Sequence, residues 1–362
     1  MSYTPTHTFM DELNKTLFNT SAINYFSPIL ESIFPNSSFG CIRAKVINIT
    51  IEREDVISVE LLPNKKFKTF VPGQYVELSI KINAVHSTRI FSISSSLQQW
   101  KDDHTITLSI QKQKQGKITT WIHNHLKEGD IVEISTAMGD FVLPNTAEDV
   151  VFIAGGSGIT PFRSMLYKAL EQKRKVTLLY YCNAIGEHLF EDELLSFNNE
   201  ENINIHLIDS NSNGFISISH LEKYCTNLTQ AFTYICGPAP MIKAAQTVLE
   251  QLTISKDKII IERFNPVQIP SKDLEHIEGT VSVINQNKNN IKVNPTSSIL
   301  ETLEQNGVFP KHGCRMGICK KCQCTKKSGV VYNKLTQQFS DANEERIEIC
   351  SSIPVGNVEL EF

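Results

Sequence analysis

The sequence predicts a multidomain protein: an antiparallel β-barrel, then an α/β domain with a parallel sheet, then a smaller C-terminal unit. Three observations predict it. The chain has 362 residues, which at roughly 150 residues per domain makes two or three domains. Its apolar pattern changes near Asp149, from short alternating runs to strand–helix alternation. Its nine cysteines are unevenly spread, with Cys314, Cys319, Cys322 and Cys324 crowded together and Cys350 further on.

Composition narrows the class. The chain is 41% hydrophobic and 20% charged, which excludes a disordered chain, a collagen-like chain and a coiled-coil rod. A net charge of −4 speaks against a strongly basic nucleic-acid binder, so no nucleic-acid partner is expected. No apolar run approaches the roughly 18 residues of a membrane span. The first residues lack the charged-then-apolar pattern of a secretion signal. A cytoplasmic protein is expected, in a reducing compartment where crowded cysteines suggest metal before disulfides.

Residues 1–40 are rich in Asn, Ser and Thr, with Phe9, Leu13, Leu17, Ile23, Phe26, Leu30 and Ile33 at helical spacing. They form an N-terminal helical extension, either an arm packed on the body or a docking element for a membrane or partner. In 41–145 the runs 42–51, 56–62, 74–80, 105–112 and 130–135 alternate apolar and polar residues between turns such as Pro72-Gly73. Short strands in series suggest the barrel. In 146–265, strands 150–154, 175–181, 203–208, 232–236 and 258–262 are separated by helices from Pro161, over 189–197 and over 240–252. That rhythm means a parallel sheet covered on both faces. Residues 266–278 hold prolines and charges without apolar period and are taken as a linker; 279–362 form the third unit.

Four motifs carry chemistry. Cys314-x4-Cys319-x2-Cys322, with Cys350 after 27 intervening residues, is the plant-type [2Fe–2S] spacing. Three thiolates come from one tight loop, in which Gly313 and Gly317 let backbone N–H groups turn toward the sulfurs; the fourth comes from elsewhere. Zinc would favour two Cys-x-x-Cys pairs, and only one is present. Cys324 is left out of the ligand set because strand alternation should aim it elsewhere. The second motif is Arg89-Ile90-Phe91-Ser92. Arg89 can pair with a phosphate, Phe91 can stack on a flat ring and Ser92 can reach a flavin nitrogen, although a Ser-rich strand is often only a strand. It is joined by Gly116 and Thr119 before a helix over 121–126, with Thr119 or Thr120 as its cap; a second phosphate site there suits FAD more than FMN. The third is Gly155-Gly156-Ser157-Gly158-Ile159-Thr160-Pro161 after a strand, with Thr160 as N-cap and Pro161 at the first helical position. The fourth is Cys236-Gly237-Pro238 at another strand's carboxyl end, where α/β sheets bind ligands.

In this order these residues resemble the ferredoxin–NADP reductase superfamily, in the branch with a C-terminal plant-type ferredoxin domain. The resemblance implies an FAD-binding barrel, an NAD(P)-binding α/β domain and a β-grasp ferredoxin domain. Arg89, Phe91 and Ser92 fall on its flavin motif, where Tyr is usual at Phe91. Gly155, Gly156, Gly158, Thr160 and Pro161 fall on its nicotinamide-nucleotide loop, and Cys236, Gly237 and Pro238 on its Cys-Gly-Pro turn. Glu262 and Phe264 match its end-of-domain motif near the flavin. Ser92, Cys236 and Glu262 are thereby the expected catalytic residues, and Cys314, Cys319, Cys322 and Cys350 the cluster ligands. Within the branch, Leu62-Pro63-Asn64 and Cys314-Arg315-Met316-Gly317-Ile318-Cys319 look similar to the electron-transfer partners of stearoyl-CoA 9-desaturases.

The implied activity is electron transfer from NAD(P)H through FAD and a [2Fe–2S] cluster, the flavin converting one hydride into single electrons. The expected acceptor is a membrane di-iron fatty-acyl desaturase; a soluble hydroxylating oxygenase is the alternative, and a redox sensor the remote one. Ala184 stands where the family often has Arg, which leans toward NADH, whereas the desaturase subgroup leans toward NADPH. Lys311, Arg315, Lys320, Lys321, Lys326 and Lys327 occur without an intervening acid. They form either a solvated face or a basic rim that steers an acidic partner or brings the protein to the inner face of a membrane.

Overall fold

The computed structural model describes residues 42–82, 85–113, 116–145, 148–184, 186–264, 279–284, 288–293, 297–336, 338–340 and 342–362. The helices expected within 1–40 and the linker expected at 266–278 lie outside these residues.

The first unit is an antiparallel sheet of β1 (Ile42–Arg53), β2 (Val56–Pro63), β3 (Tyr75–Ile82), β4 (Val85–Ser92), β5 (Ile106–Gln111) and β6 (Ile131–Ile134), in the order β4-β3-β6-β1-β2-β5. Its two edges meet. Ile93 bridges to Leu108, and the Ser94 N–H donates to the Thr107 carbonyl at 2.9 Å, turning the sheet back on itself as a barrel. Alternate residues fill the interior, Val76, Leu78 and Ile80 of β3 among them. Strand β4 is legible in the sequence only at its Ser-rich end, the motif Arg89-Ile90-Phe91-Ser92, because the rest of its stretch is short of apolar residues. Its partner supplies the order instead, since all of β4 pairs with β3, from Tyr75–Ser92 to Ile82–Val85. Helices α1 (Leu97–Asp103) and α2 (Lys117–His125) follow β4 and β5.

The second unit is a parallel sheet of β7 (Val150–Gly155), β8 (Val176–Cys182), β9 (Ile203–Asp209), β10 (Phe232–Cys236) and β11 (Ile259–Glu262), ordered β11-β10-β7-β8-β9. All six residues of β7 are buried, because both faces of the sheet are covered. Phe152 faces one layer, where its ring stacks on Phe162 of α3 (Ile159–Glu171) at 4.7 Å. Ile153 faces the other, packed with Ile242 and Leu249 of a later helix. Helices α4 (Glu191–Ser196), α5 (Ile218–Tyr224) and α6 (Ala239–Gln251) complete the layers. Winding reverses between β7 and β10, and such a switch point opens a crevice at the strands' carboxyl ends.

The third unit is a mixed sheet of β12 (Gly279–Val283), β13 (Lys288–Val293), β14 (Gln323–Asn333), β15 (Gln338–Phe339), β16 (Glu345–Glu348) and β17 (Ser352–Glu361), with β12 and β17 parallel. Among the described residues one helix, α7 (Ile299–Gln305), covers it. A capping box fixes the start of α7: Ser298 Oγ accepts from the Glu301 N–H (3.2 Å), and the Glu301 carboxylate accepts from the Ser298 N–H (2.8 Å). One helix on a mixed sheet is the layout expected of a ferredoxin domain.

At the switch point two backbones touch. A methyl group on Gly158 would run into the Cys236 carbonyl and lie 2.8 Å from the Gly237 nitrogen. Gly158→Ala should therefore destabilise the parallel-sheet unit by about 1–3 kcal/mol. Thermal unfolding checks this, and an unchanged midpoint would mean that the two loops separate freely.

Candidate functional site

A cavity of about 1080 Å³ lies where the three units meet, and each contributes to its wall. From the barrel come Arg89, Phe91 and Ser92 of β4. The Arg89 guanidinium donates to the Thr88 carbonyl at 2.8 Å. Burial, and Arg315 across the cavity, lower its pKa from the usual arginine value, yet a guanidinium stays cationic. Ser92 is buried, and its Oγ donates to Glu262 Oε2 at 3.4 Å.

The N-terminus of α2 forms the next part of the wall. The helix starts at Lys117 rather than 121, and its N-cap is Gly116, which has no side chain to offer. Thr119 is thus the third helical residue and not the cap; its Oγ1 accepts from the Gln113 N–H at 3.1 Å. The helix-end N–H groups beside Gly116 are left for an anion.

From the parallel sheet come Gly155, Gly156, Gly158, Thr160, Gly237 and Pro238. Residues 156–158 form one 3-10 turn, and α3 begins at Ile159 with Gly158 as N-cap. The expected cap, Thr160, lies inside the first turn, with its Oγ1 donating to the Ser157 carbonyl at 3.1 Å. Pro161 is third in the helix rather than first and is buried behind the wall, where the first turn spares its missing N–H. Gly156 has φ +54°, a left-handed value that glycine adopts without strain. Sequence reasoning missed the group that holds this turn. Fully buried Tyr180 donates its hydroxyl to the Gly156 carbonyl (2.9 Å) and accepts from the Leu189 N–H (3.1 Å). Nothing in the local sequence marks it, because a tyrosine in a buried strand reads as core.

Behind the wall, Cys236 and Glu262 are register partners on β10 and β11. Burial holds the Cys236 thiol well above its ordinary pKa, so it is a neutral SH group. Burial also pushes the Glu262 carboxyl up to about 8, against the lowering effect of the Ser92 hydrogen bond. Phe264, two residues on, lines the cavity.

The third unit presents the cysteine loop. Arg315, Gly317 and Lys320 all have positive φ, which winds the backbone tightly around the sulfurs. Cys314 Sγ accepts from the N–H groups of Met316 (3.3 Å) and Cys319 (3.4 Å). Cys319 Sγ accepts from the Cys314 N–H (3.2 Å), and Cys350 Sγ from the Gly317 N–H (3.0 Å). The Cys322 and Cys350 sulfurs are 3.1 Å apart, and the Cys314 thiol contacts those of Cys319 and Cys350. Four convergent thiols with amide donors aimed at three of them suit an iron–sulfur cluster.

The structure changes three expectations here. Gly313 has no positive φ; it is needed for room, since a methyl group there would lie 2.8 Å from Cys319 Sγ. Cys324 stays out of the sulfur group, but not through alternation, which would put residues 322 and 324 on one face. Cys322 precedes β14, and Cys324 is in the strand, paired with Ile347 and buried in the apolar core. The basic run is mostly neutralised: Arg315 pairs with Glu304, Lys321 with Glu77, Lys326 with Glu345 and Lys327 with Glu344 and Glu361. Lys326 is fully buried. Among the described residues only Lys311 and Lys320 of the six show no ion pair, so the continuous rim is not formed.

A raised carboxyl pKa means that the fold favours protonated Glu262. Its contribution to stability is full below about 4.5 and is lost as pH rises through about 8. Wild type should therefore lose about 3–5 kcal/mol relative to Glu262→Gln across that window. Denaturant midpoints against pH test this; parallel curves for the two proteins would show that Glu262 is ionised in the fold.

Comparison with known proteins agrees with this geometry. The chain matches the oxidoreductase FAD-binding domain over 44–143, the oxidoreductase NAD-binding domain over 152–247 and the 2Fe-2S iron-sulfur cluster binding domain over 282–355. It is similar to an NADPH oxidoreductase of Mycobacterium tuberculosis, at 24% identity over 89% of this chain and 84% of that one. It is also similar to the glycine betaine monooxygenase reductase subunit of Pseudomonas aeruginosa, at 23% identity over 94% and 99%. The solved structure of phthalate dioxygenase reductase superposes with a TM-score of 0.63 at 22% identity, over 89% of this chain and 98% of that one. A flavohemoprotein of Bacillus anthracis is matched at 32% identity but over only 61% of its length. The chain thus has the FAD-, NAD- and [2Fe–2S]-binding domains of an oxidoreductase of the ferredoxin reductase type, in the architecture of phthalate dioxygenase reductase.

Proposed function

We propose that this protein draws electrons from NAD(P)H and delivers them, through FAD and a [2Fe–2S] cluster, to the iron-containing catalytic component of an oxygenase. The observation that carries the reading is the shared cavity: Arg89, Phe91 and Ser92, the glycine turn at 155–158 and the cysteine loop at 314–316 all line it. FAD takes a nucleotide's two electrons together and releases them singly, which suits a one-electron cluster.

The residues divide the work. Arg89 and the N-terminus of α2 at Gly116 and Thr119 would hold the two phosphates of FAD. Phe91 and Phe264 would flank its ring, with Ser92 at the reacting edge. Gly155, Gly156, Gly158, Thr160, Gly237 and Pro238 would receive the nicotinamide nucleotide, backbone against phosphate. Pro161 sets the start of α3 from behind. Ser92 lines the cavity, and Cys236 and neutral Glu262, buried behind its wall, would keep charge and water away from the transfer. Cys314, Cys319, Cys322 and Cys350 would hold the cluster.

The acceptor reading is supported by full-length similarity to an oxygenase reductase subunit. The second reading, a membrane fatty-acyl desaturase served from the membrane face, rests on the runs at 62–64 and 314–319. No helix among the described residues is long and apolar enough to cross a membrane.

Cys319→Ser should keep nucleotide-driven flavin reduction and stop reduction of any downstream acceptor; loss of flavin reduction in a folded variant would contradict the assignment. Oxygen consumption that requires Cys319 should appear when protein and NAD(P)H are added to a soluble extract. Activity confined to washed membranes, with desaturation of stearoyl-CoA, would make the desaturase the acceptor. For the nucleotide, the Arg53 guanidinium near Cys182 is already engaged by Asp55 (2.6 Å) and the Glu187 carbonyl (2.6 Å), leaving it a poor partner for a 2′-phosphate. NADH should therefore exceed NADPH in kcat/KM by about tenfold; equality or the reverse would refute this preference.

A further inference from the structure

We propose that Glu77 and Lys321 form a docking pin that seats the cysteine loop of the ferredoxin domain on the flavin barrel. Glu77 is then a positioning residue for the electron step between the two cofactors. The inference rests on reading Cys314, Cys319, Cys322 and Cys350 as cluster ligands.

Strand alternation states the problem. Val76, Leu78 and Ile80 of β3 fill the barrel, so Tyr75 and Glu77 point outward, where a carboxylate should meet water. Glu77 is only 6% exposed. What covers it is the cysteine loop. Lys321 reaches Glu77 Oε2 as an ion pair, while its own side chain remains 48% exposed. The other oxygen, Oε1, is buried with no hydrogen-bond partner and lies against Gly313. A methyl group on Gly313 would be 2.7 Å from Glu77 Oε1 and 2.8 Å from Cys319 Sγ. The barrel carboxylate therefore packs beside one cluster ligand and is paired by the residue two positions after it.

The arrangement discriminates between seatings. If the domains part, Glu77 and Lys321 both return to water. If the ferredoxin domain settles wrongly, the covered carboxylate loses its cation and is left as a buried unpaired charge, which is strongly disfavoured. The observed seating keeps the Lys321 cation on the covered carboxylate. In that seating Cys314 and Met316 border the cavity that Arg89 and Phe91 line, and β3 itself pairs Tyr75 with Ser92. Tyr75, beside Glu77 on the same outward strand face, is likewise buried. The pin takes no part in the chemistry. The electrons would come in pairs from NAD(P)H, and FAD, when bound, would pass them singly to the cluster held by Cys314, Cys319, Cys322 and Cys350.

The test uses full-length protein loaded with FAD and cluster, as wild type, Glu77→Gln, Glu77→Lys, Lys321→Glu and the double charge swap. Rapid mixing with NADH follows flavin and cluster absorbance separately. Flavin reduction should stay within about twofold of wild type in all variants, while cluster reduction slows about tenfold or more in each charge reversal and recovers in the swap. Hydrogen exchange at 75–79 and 313–321 should rise in the single variants and fall again in the swap. Wild-type cluster reduction in Glu77→Lys, or a swap no faster than its parents, would overturn the pin. Glu77→Gln keeps the shape if a reversal fails to fold, and unchanged exchange and cluster reduction there would also overturn it. Cluster absorbance retained in Cys319→Ser would instead overturn the ligand reading, leaving hydrogen exchange to decide the pin alone.

Discussion

Gly158 lies so close to the Cys236 carbonyl that no side chain fits between them, and the site is organised around that contact. Bringing the end of β7 onto the end of β10 makes one continuous wall from two strands that are neighbours in the sheet but 82 residues apart in sequence, Phe152 pairing with Tyr234. The same approach fixes where β11 must run, because β11 pairs with β10, and this sets Glu262 beside Cys236. Ser92 then reaches Glu262 from the barrel. A steric constraint on one glycine thus propagates through sheet register to a polar contact between two domains.

Electrostatics follows the same geometry. The deepest groups, Cys236 and Glu262, are both pushed toward their neutral forms by burial, whereas the Arg89 guanidinium keeps its charge at the cavity wall. The cavity therefore grades from a charge-poor back to a cationic side. That gradient suits a ligand with an uncharged reacting ring and anionic phosphates, and it would repel the reverse orientation. A neutral carboxyl can also donate a hydrogen bond, which an ionised one cannot, so Glu262 and Ser92 can exchange donor and acceptor roles as charge shifts nearby.

Much of this was legible in the sequence where chemistry demands particular residues at particular spacings. The cysteine spacing, the glycine run after an apolar strand and the barrel-to-α/β change all correspond to structure, because each reflects a local requirement. Features set by distant partners were not legible. The first half of strand β4 exists because β3 pairs with it. Thr119 and Thr160 look like caps, but the chain turns into each helix earlier, at Gly116 and Gly158. Gly313 looks like a conformational glycine and is a packing glycine, since its neighbour Glu77 comes from another domain. Lys326 reads as a surface charge and is fully buried, bonded to the Gly329 and Asn343 carbonyls.

These differences share a cause that separates cofactor sites from partner sites. The groups that face the cavity or the sulfurs are largely backbone: amides of the cysteine loop, the open end of α2 and the turn at 156–158. Backbone donors need only the right φ and room, so a few glycines and the ligand cysteines specify them, and they tolerate drift elsewhere. Partner selection rests on side chains at the rim, whose charge depends on what folds against them. Four of the six cations near the cluster are consumed by carboxylates of this same chain. Among the described residues Lys311 and Lys320 show no ion pair, and Phe309, two positions before Lys311, is exposed. Recognition on such a surface draws on shape and apolar contact more than on long-range steering, so an acceptor would be selected after encounter rather than before it.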